Sequence, residues 1–317
     1  MTKKIEQHRD DLIGVDVGGT FTDIIRFDQK TGQILLAKVS STAKNQAFGV
    51  MNAISAVESQ LSNVAMIIHG TTTTTNAVLE RKLSRTGLIT TKGFRDCLEL
   101  GRRTRPEPYG MKGHFVPIVP RDLRVEVDER LDFAGRVITP LDESAVRLAG
   151  EKLLKSGVES LVIHFLHSYA NPEHELRAAA ILAEFWPNDF VTMGHSLLSE
   201  SREFERGVTA AVNASVQPIL KKYIRKLVEE LSDAGYESEL LVMNGNGGTV
   251  SADRVAREAA KTVMSGPASG VMAAAYVGRA ASRSNLITYD MGGTSTDVAL
   301  IVNGAPSVSN EIELEYA

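Results

Sequence analysis

The chain of 317 residues has a single cysteine, Cys97, which excludes an internal disulfide and any cysteine-based zinc cluster. It has no surplus of basic residues. Lys+Arg 35 against Asp+Glu 39 leaves a formal charge of −4, the opposite of the electrostatic footprint of a nucleic-acid binder. No uninterrupted apolar run approaches the ~20 residues that a membrane span needs. The opening residues, Met1 to Asp11, are polar and lack the apolar core of a secretory signal, so a cytoplasmic protein is the expectation. Also missing are the Walker phosphate loop, Gly-x4-Gly-Lys-Ser/Thr, and the dinucleotide fingerprint, since Gly245-Asn-Gly247-Gly248-Thr-Val lacks its last glycine. What remains is ordinary for a folded chain: 43% hydrophobic and 23% charged residues, long enough for about two domains.

Periodicity supplies the elements. Leu12–Val17, Thr22–Phe27 and Gln33–Val39 read as three strands in a meander, with turn chemistry at Asp28 to Gly32. Phe48, Met51, Ile54, Val57 and Leu61 recur at three or four residues and predict a helix over Ala47–Leu61. Ala65–His69 reads as a buried strand and Asn76–Lys82 as the start of another helix. Five of the ten prolines fall between Gly101 and Pro140, predicting an extended excursion that ends in a strand-turn-strand at Val125–Ile138. Further on come a helix over Asp142–Ser156 with Asp142 as N-cap, a strand at Ser160–His164, and a helix over Pro172–Phe185 with proline in its first turn. A strand at Phe190–Gly194 follows, then one long helix or a pair kinked at Pro218 across Arg202–Ala234. Leu240–Met243 is a strand, Asn244–Gly248 a turn and Gly266–Ala280 a helix. Strands alternating with helices indicate an α/β chain with mixed sheets.

One octapeptide occurs twice. Asp16-Val-Gly-Gly-Thr-Phe-Thr-Asp23 returns as Asp290-Met-Gly-Gly-Thr-Ser-Thr-Asp297, six of the eight positions being identical. Each copy lies between apolar runs, so each reads as strand, tight turn, strand. Paired glycines let backbone N–H groups approach a polyanion, and the threonine hydroxyls add donors. The aspartates cannot face phosphate directly, so Mg2+ (or Mn2+) or the attacking group must stand between them. A single copy could be a plain hairpin turn; two copies with the same Asp, Thr and Asp point to a pair of hairpins gripping nucleotide phosphates.

With this repeat and several other segments in place, the chain resembles the hydantoinase A, 5-oxoprolinase and acetone carboxylase β-subunit family. The segments that carry the resemblance are Gly14–Asp23, His69-Gly-Thr-Thr-Thr-Thr-Thr-Asn-Ala77, Thr91–Asp96, Gly101-Arg-Arg-Thr-Arg-Pro106, Val119-Pro-Arg121, Asn213-Ala, Asn246-Gly-Gly248, Ser265-Gly-Pro-Ala-Ser-Gly270 and Asp290–Asp297. The resemblance implies an actin-like (ribonuclease H-like) ATPase fold with mixed sheets flanked by helices and an incomplete second domain, because family members are about twice this long. It implies residues 1–200 as an N-terminal domain with the first phosphate hairpin and the proline-rich insertion, and 201–317 as the start of a second domain. The implied activity is ATP-dependent hydrolysis of a cyclic amide of hydantoin or 5-oxoproline type, with ketone carboxylation as the alternative on the same motifs. Both proceed by phosphorylating an unreactive oxygen. A hydantoinase B-type subunit or a C-terminal companion chain is the implied partner.

The expected site follows. Asp16, Asp23, Asp290 and Asp297 form the shell around Mg2+ and phosphate, Asp16 and Asp290 being the metal ligands. Gly18, Gly19, Thr20 and Thr22, with Gly292, Gly293, Thr294 and Thr296, cradle the phosphates, joined by Gly266 at the head of a helix rich in small residues. His69 is the acid/base candidate. Thr72, Asn76, Arg102 and Arg105 are candidates for substrate, the arginines as anion-binding forks. His164, His167 and His174 lack any recognised metal-ligand spacing, and Cys97 reads as a packing residue. A sugar kinase and a non-catalytic nucleotide-binding fragment are the other readings open to the sequence.

Overall fold

The protein is described by a computed structural model covering residues 9–42, 46–102, 109, 116–291 and 296–309. The chain begins with β1 (Asp11–Val17), β2 (Phe21–Asp28) and β3 (Ile34–Ser40), the expected meander. Ile13, Val15, Val17 and Ile24 form its buried face, as alternation in a half-buried strand dictates. Helix α1 (Gln46–Ala56) covers that face with Val50 and Ile54. It stops short of Leu61, the expected end, because Glu58 enters the left-handed region at φ 50 and a short 3-10 turn follows. Strand β4 (Val64–Thr71) runs parallel to β1, and α2 (Thr73–Leu79) begins three residues before the expected start.

The chain then builds a second compact unit, residues 77–219, before returning to the first. This unit holds β5 (Thr86–Thr91), α3 (Cys97–Leu100), β6 (Arg124–Val127), the ribbon β7 (Arg130–Leu131) and β8 (Val137–Thr139), and α4 (Glu143–Lys155). It continues with β9 (Ser160–His164), α5 (Glu173–Ala183), β10 (Val191–Met193) and α6 (Gly194–Leu197). Asp142 caps α4 as expected, its carboxylate accepting from Ala145 N at 3.0 Å. Strands lie in the order β10-β9-β5-β6, all parallel. Leu88, Ile89, Leu161, Val162 and Ile163 are buried between helices whose Val146, Leu153, Ile181 and Leu182 complete the core. The strand-turn-strand expected at Val125–Ile138 is divided: β6 joins the parallel sheet and only β7 and β8 pair as a ribbon.

Helix α7 (Glu203–Asp233) is one element of 31 residues with Pro218 inside it, not a pair of helices. Buried Ala214, Val216, Leu220 and Ile224 on both sides of the proline hold it in place. After it come β11 (Leu240–Met243), β12 (Thr249–Ser251), α8 (Ala252–Val255), α9 (Ser265–Ala280), β13 (Leu286–Met291), β14 (Thr296–Val302) and β15 (Ala305–Pro306). Strand β11 pairs parallel to β4, giving the first unit the order β12-β11-β4-β1-β2-β3 with β2 antiparallel to both neighbours. Strands β13, β14 and β15 form a separate antiparallel sheet. Where the sequence reading divides the chain at residue 200, the compact units are interleaved, 220–309 returning to the unit that 9–76 begins.

Candidate functional site

The first repeated octapeptide is a hairpin whose tip is set by glycine. Gly18 N donates to the Phe21 carbonyl at 3.0 Å, and a Cβ on Gly18 would stand 3.1 Å from that same oxygen. Gly19 and Thr20 form the exposed tip. Ser41 fixes it from behind: its hydroxyl donates to the Gly18 carbonyl at 2.8 Å, and its N–H donates to the Thr20 carbonyl at 2.8 Å. Thr22, expected to hold phosphate, is fully buried and its hydroxyl bonds Ser41 at 3.0 Å. It shapes the loop from inside and presents no donor at the surface.

Strand register places Asp16 opposite Asp23, and Asp23 opposite Lys38, in one row across β1, β2 and β3. Lys38 Nζ holds both Asp23 oxygens at 2.9 and 3.0 Å. The Asp16 carboxyl is raised above the usual carboxylate range, first by desolvation in its recess, then by the negative charges of Asp23 and Asp290, with Lys38 opposing. The second hairpin repeats the pattern, with Asp290 opposite Asp297. Asp297 is likewise raised, by desolvation and then by Asp290. Three aspartates from the two copies therefore share one electrostatic environment around Asp16. Gly292, Gly293 and Thr294 lie outside the described residues, as does Arg105; Thr296 is exposed at the start of β14.

Room around Asp16 is kept by glycines. A Cβ on Gly70 would stand 2.7 Å from Asp16 Oδ1, and one on Gly266 would stand 3.8 Å from the same oxygen and 3.7 Å from the Thr72 methyl. A Cβ on Gly19 would lie 3.9 Å from Asn76 Nδ2, and that amide donates to Thr72 Oγ1 at 3.2 Å. The structure thus gathers Asp16, Gly19, Thr72, Asn76 and Gly266, which are separated in sequence, at the carboxyl ends of β1 and β4.

The other threonines of the run do different work. Thr73 donates to Gln46 Oε1 at 2.5 Å, Thr74 bonds Thr262 at 2.7 Å, and Thr75 accepts from Met264 N at 2.9 Å. They join the β4–α2 turn to its neighbours, so of the run only Thr72 stands beside the carboxylates. His69 is fully buried, its Nε2 2.8 Å from the Tyr223 hydroxyl. Burial lowers its pKa to about 4, so at neutral pH the ring is uncharged and enclosed. An enclosed ring cannot exchange a proton with a solvent-borne substrate, and the acid/base role expected of His69 has no geometric support. Tyr223, on α7, has its pKa raised by burial and then by the negative charge of Asp16. Sequence reading passes over Tyr223, a lone tyrosine in a helix, and over Lys38, recognisable only once β3 is in register with Asp23.

Arg102 belongs to the second unit, where its Nε meets Glu205 Oε1 at 2.7 Å. Cys97 is half-buried with its thiol pKa pushed up, chiefly by desolvation, the state of a packing thiol and not an activated one. Among the described residues no group of three or more His, Cys, Asp or Glu side chains is arranged to hold a metal ion. Asp16, beside the like charges of Asp23 and Asp290, nonetheless offers hard carboxylate oxygens, the donor chemistry that suits Mg2+. Among the described residues no helix is long and apolar enough to cross a membrane.

The strand order of the first unit, with its antiparallel second strand and phosphate-type hairpin, defines an actin-like ATPase fold. The chain belongs to the hydantoinase/oxoprolinase family: residues 12–186 match the hydantoinase/oxoprolinase N-terminal region and residues 206–317 match hydantoinase/oxoprolinase. It is similar to acetone carboxylase in its nucleotide-free structure, an enzyme of ATP-dependent acetone carboxylation, with TM-score 0.83 and 30% identity over 92% of this chain and 44% of that one. It is similar also to the ATP-dependent caprolactamase of Pseudomonas jessenii, with TM-score 0.75 and 31% identity over 91% of this chain and 43% of that one. The acetophenone carboxylase gamma subunit of Aromatoleum aromaticum is 33% identical over 96% of this chain and 44% of its own length. The chain therefore spans somewhat less than half the length of these relatives.

Proposed function

We propose that this chain is the nucleotide-handling part of an ATP-dependent enzyme that opens a cyclic amide of hydantoin or 5-oxoproline type through a phosphorylated carbonyl. The observation that carries the proposal is the Asp16 constellation: carboxylates from both hairpins share one field, two glycines keep the space beside Asp16 Oδ1 free, and Thr72 and Asn76 border it. Such a group is poorly suited to stability and well suited to Mg2+ and a polyphosphate. Bound ATP with Mg2+ supplies the phosphoryl group that turns an amide oxygen into a leaving group. Asp16 and Asp290 are assigned to the metal, Gly18, Gly19 and Thr20 to the phosphates, and Thr72 and Asn76 to positioning. The likeness to a caprolactamase supports the cyclic amide as substrate. The higher structural similarity to acetone carboxylase favours ketone activation as the second reading.

A partner belongs to the proposal, a hydantoinase B-type subunit or a companion chain. Ile287, Tyr289 and Met291 on β13 and Val298, Leu300 and Val302 on β14 are all exposed, from 45% for Val302 to 73% for Ile287. An apolar strand face this open marks an interaction surface. The test begins with calorimetric titration of Mg·ATP into the purified chain, alone and with the companion protein. Hydantoins, 5-oxoproline and ketones are then screened for stimulated ADP release, with product analysis separating hydrolysis from carboxylation. Asp16→Asn and Asp290→Asn are expected to abolish ATP turnover in a folded protein; unchanged turnover in both refutes the site.

A further inference from the structure

The two hairpins agree in register from end to end. Leu12 faces Phe27 and Asp16 faces Asp23 in the first; at the corresponding positions of the second, Leu286 faces Ile301 and Asp290 faces Asp297. Their burial is reversed. In the first hairpin Ile13, Val15 and Ile24 are buried on the side of α1, whereas the matching Ile287, Tyr289 and Val298 of the second are exposed. In the second hairpin the covered face is the other one, and α9 lies on it. A Cβ on Gly278 would stand 2.3 Å from Leu286 Cδ1, and Ala275 of α9 and Ile301, the partner of Leu286, are both buried. The equivalent face of the first hairpin, that of Leu12, Ile25 and Phe27, is open instead.

That open face is a continuous apolar surface. Register lines up Met66, Leu12, Phe27 and Ile34 in one row across four strands, with Ile25 and Leu36 paired in the next. Apart from the half-buried Leu12 these residues are exposed, from 36% for Phe27 to 73% for Leu36. Sheets with one face in water carry polar residues on that face; rows of apolar ones mark an interaction surface. Four strands about 4.8 Å apart make it about 14 Å wide, the length of about ten helical residues.

Helix α9 shows what kind of element such a face takes. Its residues against the sheet are small, Ala275 and Gly278, so it lies close and Leu286 fills the space over the glycine. It also carries the positive end of its dipole to a carboxylate, Gly266 standing beside Asp16. The same relation carried to the first hairpin lays a helix over Leu12 and Phe27 with its first turn toward Asp290, the aspartate whose charge raises the Asp297 carboxyl. The relatives carry more than half of their length outside the part matched here, polypeptide enough for such a helix.

We propose that the open face of β1, β2, β3 and β4 is the docking surface for a helix of the α9 type, supplied in trans by a companion polypeptide. The helix is apolar, about ten residues or longer, and turns small residues toward the sheet. This surface is separate from the open β13–β14 face, and the proposal rests on the repeat, not on the activity assigned to the Asp16 site.

Because α9 is the template, its own sequence is the probe. A fluorescein-labelled peptide of residues 265–281, with two lysines appended for solubility, is titrated into the full chain. Anisotropy reads binding and circular dichroism reads peptide helicity. Saturable binding with a gain of helix is expected. Ile25→Glu and Leu36→Glu, at exposed positions where charge leaves the fold intact, should each weaken binding about tenfold or more. Tyr289→Glu, on the other open face, should leave it unchanged. Asp16→Asn should bind peptide as the parent does, so this proposal and the nucleotide site fail separately. The proposal is overturned if no saturable binding occurs up to about 1 mM peptide, or if Ile25→Glu and Leu36→Glu bind as the parent does. Loss of binding in Tyr289→Glu alone assigns the peptide to the β13–β14 face and overturns it as well. So does a dimer of the chain, seen by sedimentation and dissolved by Leu36→Glu, which makes a second copy the occupant.

Discussion

Replacing Asp16 with asparagine should make the protein more stable. Asp16 faces Asp23 directly across the β1–β2 register, and a like-charged pair so placed costs about 0.2–1 kcal/mol. Asp290 adds charge of the same sign and Lys38 opposes it. Asp16 as a residue is exposed although its carboxyl is partly desolvated in its recess, so screening confines the relief to about 0.5 kcal/mol, rising toward 1 kcal/mol with the desolvation that an amide escapes. For folding units of this size that is about 1–4 °C in the unfolding midpoint.

Its pH dependence separates this origin from any other. The Asp16 pKa is raised in the folded protein, so folding favours the protonated form. The cost of its charge is absent below the unfolded carboxyl value, about 3.9, and grows as pH rises through the folded value. Asp16→Asn should therefore gain stability over the parent at about pH 7.5 and lose that gain toward about pH 4. Calorimetric or urea unfolding at three pH values checks it. A variant less stable than the parent at neutral pH, or one with the same gain at both ends, refutes the reasoning. Under the proposed function Mg2+ should stabilise the parent and not the variant.

Gly70→Ala would set a methyl 2.7 Å from Asp16 Oδ1; a side-chain end can swing away, so stability should change by less than about 1 kcal/mol, while ATP turnover under the proposed function falls about 100-fold through the displaced carboxylate. Matched unfolding curves and initial rates decide it, and undiminished turnover removes Asp16 geometry from the argument. His69 and His164 are both buried with pKa lowered to about 4, chiefly by desolvation. The unfolded chain takes up protons near pH 6.5 that the fold refuses, so stability should fall from about pH 6.5 to about pH 4, by up to about 3 kcal/mol for each ring. His69→Gln should flatten the acid limb by about one proton, read as the slope of unfolding free energy against pH; an unchanged slope excludes His69 as a source.

Much of the first sheet was legible because it obeys simple rules. Alternation in β1 and β2 and the Gly18-Gly19 turn announce a hairpin, and the copy at Asp290–Asp297 announces its function class. Thr86–Thr91 escaped notice because Leu88 and Ile89 are flanked by threonine and glycine, yet all six residues are buried in a parallel sheet where no alternation is required. The threonine run misled in a different way. Five hydroxyls in a row look alike in sequence, but the β4–α2 turn aims three of them at Gln46, Thr262 and Met264. Such distant partners leave no local signal. The interleaving of the two units was hidden for a similar reason, since only strand pairing shows that β11 returns beside β4.

The two hairpins share a feature that stability alone would remove: in each, register sets aspartate against aspartate, Asp16 with Asp23 and Asp290 with Asp297. Sheets built for stability place opposite charges or apolar pairs at such positions. A local rule broken twice, at the same positions of the same motif, points to a requirement outside the fold. The two copies also differ. In the first, Lys38 on β3 neutralises Asp23. In the second, among the described residues β15 pairs with Ile301 and Val302, and no third strand there lies beside Asp297. Among the described residues neither Asp290 nor Asp297 has an ion-pair partner, and Asp297 is raised by desolvation and by Asp290. Under the proposed function, a cation brought with the polyphosphate supplies positive charge at the aspartates the repeat preserves.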